Sequence, residues 1–457
     1  MSGWNELHEP SIFRAYDIRG VVDEDFDPAW VERLGRACAV SLRERRLDSV
    51  LLGCDCRHSS PAYHDALARG LLASGISVIS LGMVPTPVLY FAVKHLEREA
   101  GIMITASHNP AQYNGFKIWM GASTLYGDDL QRLRLIMERG AFVNGQGVFS
   151  QHDIVPAYVE AVCARIRLKR PLTVVVDGGN GAGGLVCCRV LRDLGAEVIP
   201  LFCEPDGDFP NHHPDPVVED NMREMIRRVQ VEGADCGIGL DGDADRIGVA
   251  DRNGRLLFGD ELVGIYAKDL LRRLPGSVII GDVKCSQRLF DAIAAQGGQA
   301  IMSRTGHSLI KARMRETGAQ LAGEMSGHMF FADGWFGFDD GIYSAARLLG
   351  LLAAGPTSLE DEPGWPPAFA TPEINLPCPE SFKAVIVRRT QDHFSAGHEV
   401  NTLDGARIDF GDGWGLVRAS NTQPVLVTRF EAATPERLQA IRNLTVNLLE
   451  TWMAELA

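Results

Sequence analysis

"TVVVDGGNGAGG", residues 173–184, is an apolar strand that ends on an aspartate and runs through a glycine-rich loop into a helical pattern. The same order recurs in "VLLGCDCRHSS" (residues 50–60) and "VIIGDVKCSQR" (residues 278–288). Intervals of somewhat over a hundred residues are too long for a solenoid, so the recurrence indicates three related α/β units. Between them, helical runs such as "PAYHDALARGLLASG" alternate with short β-rich runs such as "SVISLG". Such alternation predicts largely parallel or mixed sheets covered by helices, with ligand loops at the carboxyl ends of the strands.

After "DDGIYSAARLLGLLAAG" the pattern stops, and the proline-rich, acidic segment "PTSLEDEPGWPPAFATPEINLP" (residues 356–377) reads as a linker. Beyond it lie a helix, hairpins around "DGARIDFGDGWGLVRASNT", and a last helix with Thr434 as N-cap and Pro435 in its first turn. The expected architecture is three related α/β domains with mixed sheets plus a smaller C-terminal α+β domain, around a central cleft. Their boundaries are set at residues 1–153, 154–255, 256–367 and 368–457.

The 457 residues carry 45 Lys and Arg against 59 Asp and Glu, a formal charge of −14. That balance argues against nucleic acid and anionic membranes as partners. An anionic substrate therefore needs positive charge gathered locally. No run approaches the roughly 18 apolar residues of a membrane span. The opening "MSGWNELHEPSIFRAYDIRG" has neither a basic n-region nor an apolar h-region, so no signal peptide is expected. Ten scattered cysteines without a CxxC pair fit a reducing cytoplasm rather than zinc or disulfides. The protein is expected to be cytoplasmic and monomeric.

"GIMITASHNPAQYNGFK" (residues 101–117) sets Ser107 beside His108. On an extended segment adjacent side chains point apart, so His108 is not expected to reach the Ser107 hydroxyl as a base. The GxSxG elbow is absent, and an ordinary turn ended by Asn109–Pro110 explains this stretch equally well. "CGIGLDGDADRIG" is more telling. Asp241, Asp243 and Asp245 follow an apolar strand at alternate positions, which on an extended backbone aims three carboxylates to one side. Three such charges call for a hard cation, with Mg²⁺ the usual choice beside phosphate. An EF-hand fails, since Arg246 and Arg252 replace its glycine and terminal glutamate.

"LAGEMSGHMFF" places Glu324, Ser326 and His328 at alternate strand positions, a face suited to sugar hydroxyls or merely half exposed. "GLVRASNTQP" combines Arg418 with Ser420, Asn421 and Thr422, the composition of a phosphate cradle. No GxxxxGK[ST] motif occurs. In "PNHHPDP", His212, His213 and Asp215 read as a rigid loop rather than a metal cluster.

"TASHNP", "DGDADR", "GEMSGH" and "RASNTQP", in that order, resemble the α-D-phosphohexomutase family, and within it the bacterial phosphomannomutase/phosphoglucomutase branch. "FRAYDIRG", "VPTP", "DGGNGAGG", "DVKCSQ", "TGHSLIK" and "WFGFDDG" extend the resemblance nearly end to end. It implies a phosphohexomutase that interconverts hexose 1-phosphate and hexose 6-phosphate of glucose or mannose. Ser107 is then a phosphoserine that, with Asp241, Asp243 and Asp245, holds one Mg²⁺. A hexose 1,6-bisphosphate serves as intermediate and activator. Glu324 and Ser326, with His328 nearby, recognise the sugar hydroxyls. Arg418, Ser420, Asn421 and Thr422 hold the phosphate that stays in place. Tyr16, Arg19, Lys117, Lys284 and His307 match other active-site positions, and Arg246, straight after the third aspartate, places a permanent positive charge beside the ion. Lys117, His328 and Arg19 all stand as candidates for the general base. Such a carrier hydroxyl should lie open to substrate and close to the aspartates. Relatives often carry "GRD" where this chain has "GCDC" (residues 53–56), and no catalytic assignment rests there. Met325 in "GEMSGH" favours the glucose and mannose branch over phosphoglucosamine mutases. Two other classes compete: an aspartyl-phosphate phosphatase, from the DxD after a strand, and a non-catalytic phosphosugar-binding protein.

Overall fold

A computed structural model describes residues 12–355, 358–420 and 424–456. The described residues form four sheets, and the first three repeat one plan. In each, the strand recognised above lies at the centre between two parallel neighbours. Ser49–Cys54 pairs with Ser77–Met83 and Ala100–Ile104. Thr173–Asp177 pairs with Glu197–Leu201 and Cys236–Leu240. Val278–Asp282 pairs with Gln299–Ser303 and Leu321–Gly323.

The last-named neighbour in each unit then turns back into an antiparallel strand: Tyr113–Met120, Ile247–Asp251 or Met329–Phe331. The turn there holds Ser107 in the first unit, the three aspartates in the second and Glu324 in the third. Parallel strands buried on both faces require apolar runs, which "TVVVD" and "VIIGD" supply.

The fourth sheet is antiparallel throughout its described pairs and carries the helices Glu380–Phe394 and Pro435–Leu456. Thr434 Oγ1 accepts the Arg437 N–H at 3.2 Å, the expected N-cap. The segment read as a linker is only partly one. Its Phe369–Ala370 and Ile374–Pro377 pair with Val425–Ala432, because alternating apolar residues there meet an open sheet edge. Upstream, Arg255 donates to the carbonyls of Leu359 (3.0 Å) and Glu362 (2.8 Å), fastening the segment to the junction of the second and third units.

One apolar core runs through the first three units, joining Phe91 of the first, Val174 of the second and Tyr343 of the third. The fourth keeps separate clusters around Ile386 and Phe430. It meets the third through Val283, Trp414 and Leu416. Arg407 lies 3.8 Å from the Trp414 ring centroid and donates to the carbonyls of Val283 (2.6 Å) and Cys285 (2.8 Å). No described helix is long and apolar enough to cross a membrane.

Candidate active site

Ser107 adopts a φ of +53°, and its N–H donates to Thr105 Oγ1 at 2.9 Å. This left-handed turn overturns the expectation that adjacent side chains diverge, since the chain is not extended here. It brings His108 Nδ1 to 3.1 Å from Ser107 Oγ. Burial, followed by Arg246 and Arg19, holds the His108 ring well below its ordinary titration range and therefore neutral.

The "GCDC" stretch matters more than its sequence indicated. The wholly buried Arg57 donates to the carbonyls of Ser107 (2.9 Å), Asn109 (2.5 Å), Pro110 (2.6 Å) and Tyr113 (3.0 Å). Asp55 fixes the guanidinium at 3.0 Å. One planar cation thus shapes the whole serine loop, a task suited to the fixed fork of arginine.

The aspartates converge for a different reason from the one the spacing implied. After Cys236–Leu240 the chain makes a turn, with Ala244 at φ +60° and its N–H on Asp241 O at 3.0 Å. One carboxylate oxygen from each of Asp241, Asp243 and Asp245 then falls within 4.8 Å of the others. Gly242 lets this loop meet the serine loop, because a Cβ there would stand 2.5 Å from Ser107 O. Ser107 Oγ donates to Asp241 Oδ2 at 2.8 Å.

Lys117 Nζ bridges the carboxylates of Asp243 (2.7 Å) and Asp245. Thr86, in "VPTP", donates its N–H to Asp243 O at 2.9 Å and its hydroxyl to the Asp243 carboxylate. Nothing in the sequence alone marked Thr86 as a partner of a residue 157 positions away.

All three aspartates are fully buried, and Asp243 Oδ1 has no hydrogen-bond partner. Burial, then Asp243 and Asp245, push the Asp241 carboxyl well above the carboxylate range. Against its own burial, Asp245 is held well below that range by Lys117 and His328. Three oxygen donors, an orphaned oxygen and mutual repulsion fit a hard divalent cation. Lys117, despite burial, is raised by Asp243 and Asp245 and keeps its proton.

Glu324, Ser326 and His328 do not alternate along one strand as expected. They form the tight turn between Leu321–Gly323 and Met329–Phe331, closed by Glu324 N–H to His328 O at 3.0 Å, with Gly327 at φ +92°. The turn still gathers them: His328 Nδ1 lies 2.7 Å from Glu324 Oε2, and Ser326 Oγ lies 3.3 Å from that same oxygen. His328 Nε2 is 3.2 Å from Asp245 Oδ1. Although burial opposes its charge, Asp245 and Glu324 raise His328 to about 9, so the ring is a cation at neutral pH. Arg246 Nε, 3.3 Å from the same Nε2, is then a neighbour rather than a hydrogen-bond donor to it.

His307 stacks on His328 with ring centroids 5.8 Å apart, and Tyr16 meets His307 edge-on at 5.4 Å. Arg19 donates to Asn109 Oδ1 and Asp17 Oδ2, each at 2.6 Å.

Lys284 and Arg418 stand at the other end of this network. Lys284 pairs with Glu373 at 2.6 Å, and Arg418 with Asp404 at 3.2 Å. Asp404 also accepts the Thr305 N–H at 3.1 Å, and the Ser420 carbonyl accepts from Lys383 at 2.6 Å. Asn421 and Thr422 lie outside the described residues. His212 is engaged by Asp177 at 3.0 Å, as a rigid loop requires. One expectation fails: Ser107 is only 2% exposed, enclosed by His108, Asp241 and Gly242, so in this arrangement its hydroxyl is not open to a sugar.

Comparison with known proteins completes the picture. Models of phosphoglucomutase/phosphomannomutase alpha/beta/alpha domains I, II and III match residues 10–143, 156–254 and 258–363. The C-terminal domain model matches residues 373–448. A phosphomannomutase/phosphoglucomutase from Pseudomonas aeruginosa is 47% identical over 442 residues, covering 96% of both chains. A phosphoglucomutase from Neisseria gonorrhoeae is 43% identical over 445 residues, covering 96% of this chain and 97% of its own. The crystal structure of a phosphoglucomutase/phosphomannomutase family protein from Burkholderia thailandensis superposes with a TM-score of 0.91 at 42% identity, covering 97% of this chain and 98% of that one.

Proposed function

Because this chain belongs to the phosphoglucomutase/phosphomannomutase family, we propose that Ser107 is the residue that carries its phosphate. The enzyme interconverts hexose 1-phosphate and hexose 6-phosphate through a phosphoserine and a hexose 1,6-bisphosphate. The observation that carries the assignment is the 2.8 Å contact of Ser107 Oγ with Asp241, at the meeting of two loops far apart in sequence.

In the forward step the Oγ–P bond of phosphoserine breaks as a sugar hydroxyl oxygen bonds phosphorus, and the proton that the hydroxyl loses ends on Ser107 Oγ, which is left as a free serine hydroxyl. The second transfer reverses this at the other end of the sugar. Little covalent help is needed; alignment and charge neutralisation dominate. Asp241, Asp243 and Asp245, together with the serine phosphate, would hold Mg²⁺, which would neutralise charge on the phosphoryl oxygens. Arg246 and Lys117 add fixed positive charge beside them. Lys117 and Arg19 hold their protons too tightly to exchange them and act as fixed charge, whereas His328, a cation at neutral pH, is placed to give a proton rather than to take one. Glu324 and Ser326 receive the sugar hydroxyls, with His307 and Tyr16 flanking. Lys284, Arg418, Ser420, Asn421 and Thr422 bind the standing phosphate.

The fourth unit, whose apolar clusters stand apart from the core of the first three, hinges to admit substrate and closes to exclude water. The same reading divides the chain after residues 153, 255 and 367. The protein works as a monomer on small hexose phosphates, with a trace of the bisphosphate as activator. Intact-mass measurement tests the carrier directly: the expected result is a fraction heavier by one phosphate, mapped to Ser107 and stable to hydroxylamine. Phosphate on Asp241, or none after incubation with glucose 1,6-bisphosphate, would overturn it.

A further inference from the structure

A second cavity, of about 210 Å³, opens between the first and third units. None of the residues assigned above to catalysis or substrate binding lines it. Three cationic side chains do, Lys94, Lys311 and Arg315, and no acidic residue does, in a chain whose acids outnumber its bases. Lys311 is answered by Asp339 at 2.7 Å. Among the described residues, neither Lys94 nor Arg315 has an ion pair or side-chain hydrogen bond. Burial and the Arg315 charge together press the Lys94 ammonium below its ordinary range.

The remaining lining is chemically pointed. Trp119 presents its ring 5.0 Å from Lys94 Nζ, and Phe336 supplies a second aromatic wall. Ser123, also lining the cavity, is 8% exposed, and its hydroxyl has no hydrogen-bond partner. A buried hydroxyl without a partner costs free energy that a ligand oxygen would restore. Half-buried Lys94 and exposed Arg315, both in the same lining and without an ion pair among the described residues, favour a dianion over a monoanion.

We propose that this cavity is a second binding site, for a small organic phosphate. Its phosphate meets Lys94, Arg315 and Ser123, and its body lies against Trp119 and Phe336. The volume is below that of pockets for drug-sized ligands, so the body is about one ring in size. The site bears on the cleft through a single side chain. Lys311 lines the cavity and also lies with Nζ 3.1 Å from His307 Nδ1, one turn back on the helix His307–Thr317. This coupling rests on the reading of His307 as a substrate-side residue; binding itself does not.

The test uses the full chain and a Lys94→Ala/Arg315→Ala double variant, neither side chain being part of the catalytic machinery. Crystals are soaked separately in phenyl phosphate, glucose 1-phosphate and inorganic phosphate, and phenyl phosphate binding is measured by calorimetry. The expected result is density between Trp119 and Phe336, with affinity at this site falling roughly ten- to a hundred-fold in the double variant. Which probe gives density separates an aryl phosphate from the enzyme's own sugar phosphates. Turnover without effector should be unchanged in the variant, and phenyl phosphate should change the kcat of wild type alone. Density confined to the catalytic cleft, or unchanged calorimetry in the double variant, overturns the site. Loss of binding without any kcat effect in wild type overturns its coupling to His307. Phosphorylation of Ser107 is read independently by mass, so failure here and failure of the carrier assignment remain distinct.

Discussion

The two ends of the cleft handle charge in opposite ways. At the serine end buried cations and carboxylates of different units are paired with one another, as Lys117 is with Asp243 and Asp245 and His328 of the third unit is with Asp245. At the far end, Lys284 of the third unit is matched to Glu373 beside the fourth unit's sheet, and Arg418 to Asp404. The first arrangement is a permanent fixture that orients one reacting group. On the function proposed above the second is provisional, because an arriving phosphate would compete with a carboxylate for the same cation. On that reading the chemistry would be anchored at one end, while the end that accepts either orientation of the sugar would exchange partners.

Four substitutions test this contrast. Ser107→Ala should cut kcat by at least about a thousandfold while hexose phosphate still binds, since the recognition loops remain. Steady-state assay and calorimetry together check this, and near-normal turnover would break the comparison at its anchored end. Asp243→Asn should lower kcat by about a hundredfold and weaken the Mg²⁺ dependence, because it removes a ligand charge and disturbs Lys117 and Thr86 together. Titration of activity with Mg²⁺ after chelation reads both effects.

Arg418→Ala should act mainly on KM, raising it roughly ten- to a hundred-fold, as loss of a charge-assisted phosphate contact predicts. Glu373→Gln should have the smallest effect and the opposite sign. By freeing Lys284 it should lower KM about two- to five-fold, the worth of a partly exposed ion pair. A raised KM would show instead that Glu373 orients Lys284 for substrate.

Much of this was legible in the chain. The three centre strands were visible because a strand buried on both faces needs an unbroken apolar run, and each carries one. The site loops were harder, since their side chains converge through turns rather than strand alternation. Ala244 and Ser107, both at positive φ, look like ordinary strand-flanking residues in sequence. The quoted motifs still coincide with the residues that these loops gather, because turn and strand readings place the same side chains near the same strand end. The role of Arg57 was hidden for a different reason. Its partners are backbone carbonyls, which leave no mark on residue type. The paired strands within the supposed linker were masked by prolines, which sheet edges tolerate.

The apolar core common to the first three units, and withheld from the fourth, bears on how the molecule comes apart. A cooperative unit of unfolding extends as far as its packing does. Backbone amides in the Gly413–Ala419 and Val425–Ala432 strands should therefore exchange with solvent deuterium through an opening that leaves those of Thr173–Asp177 and Val278–Asp282 protected. On gentle heating the molecule should lose its last hundred or so residues' order first, while Ser107 stays seated in an intact remainder.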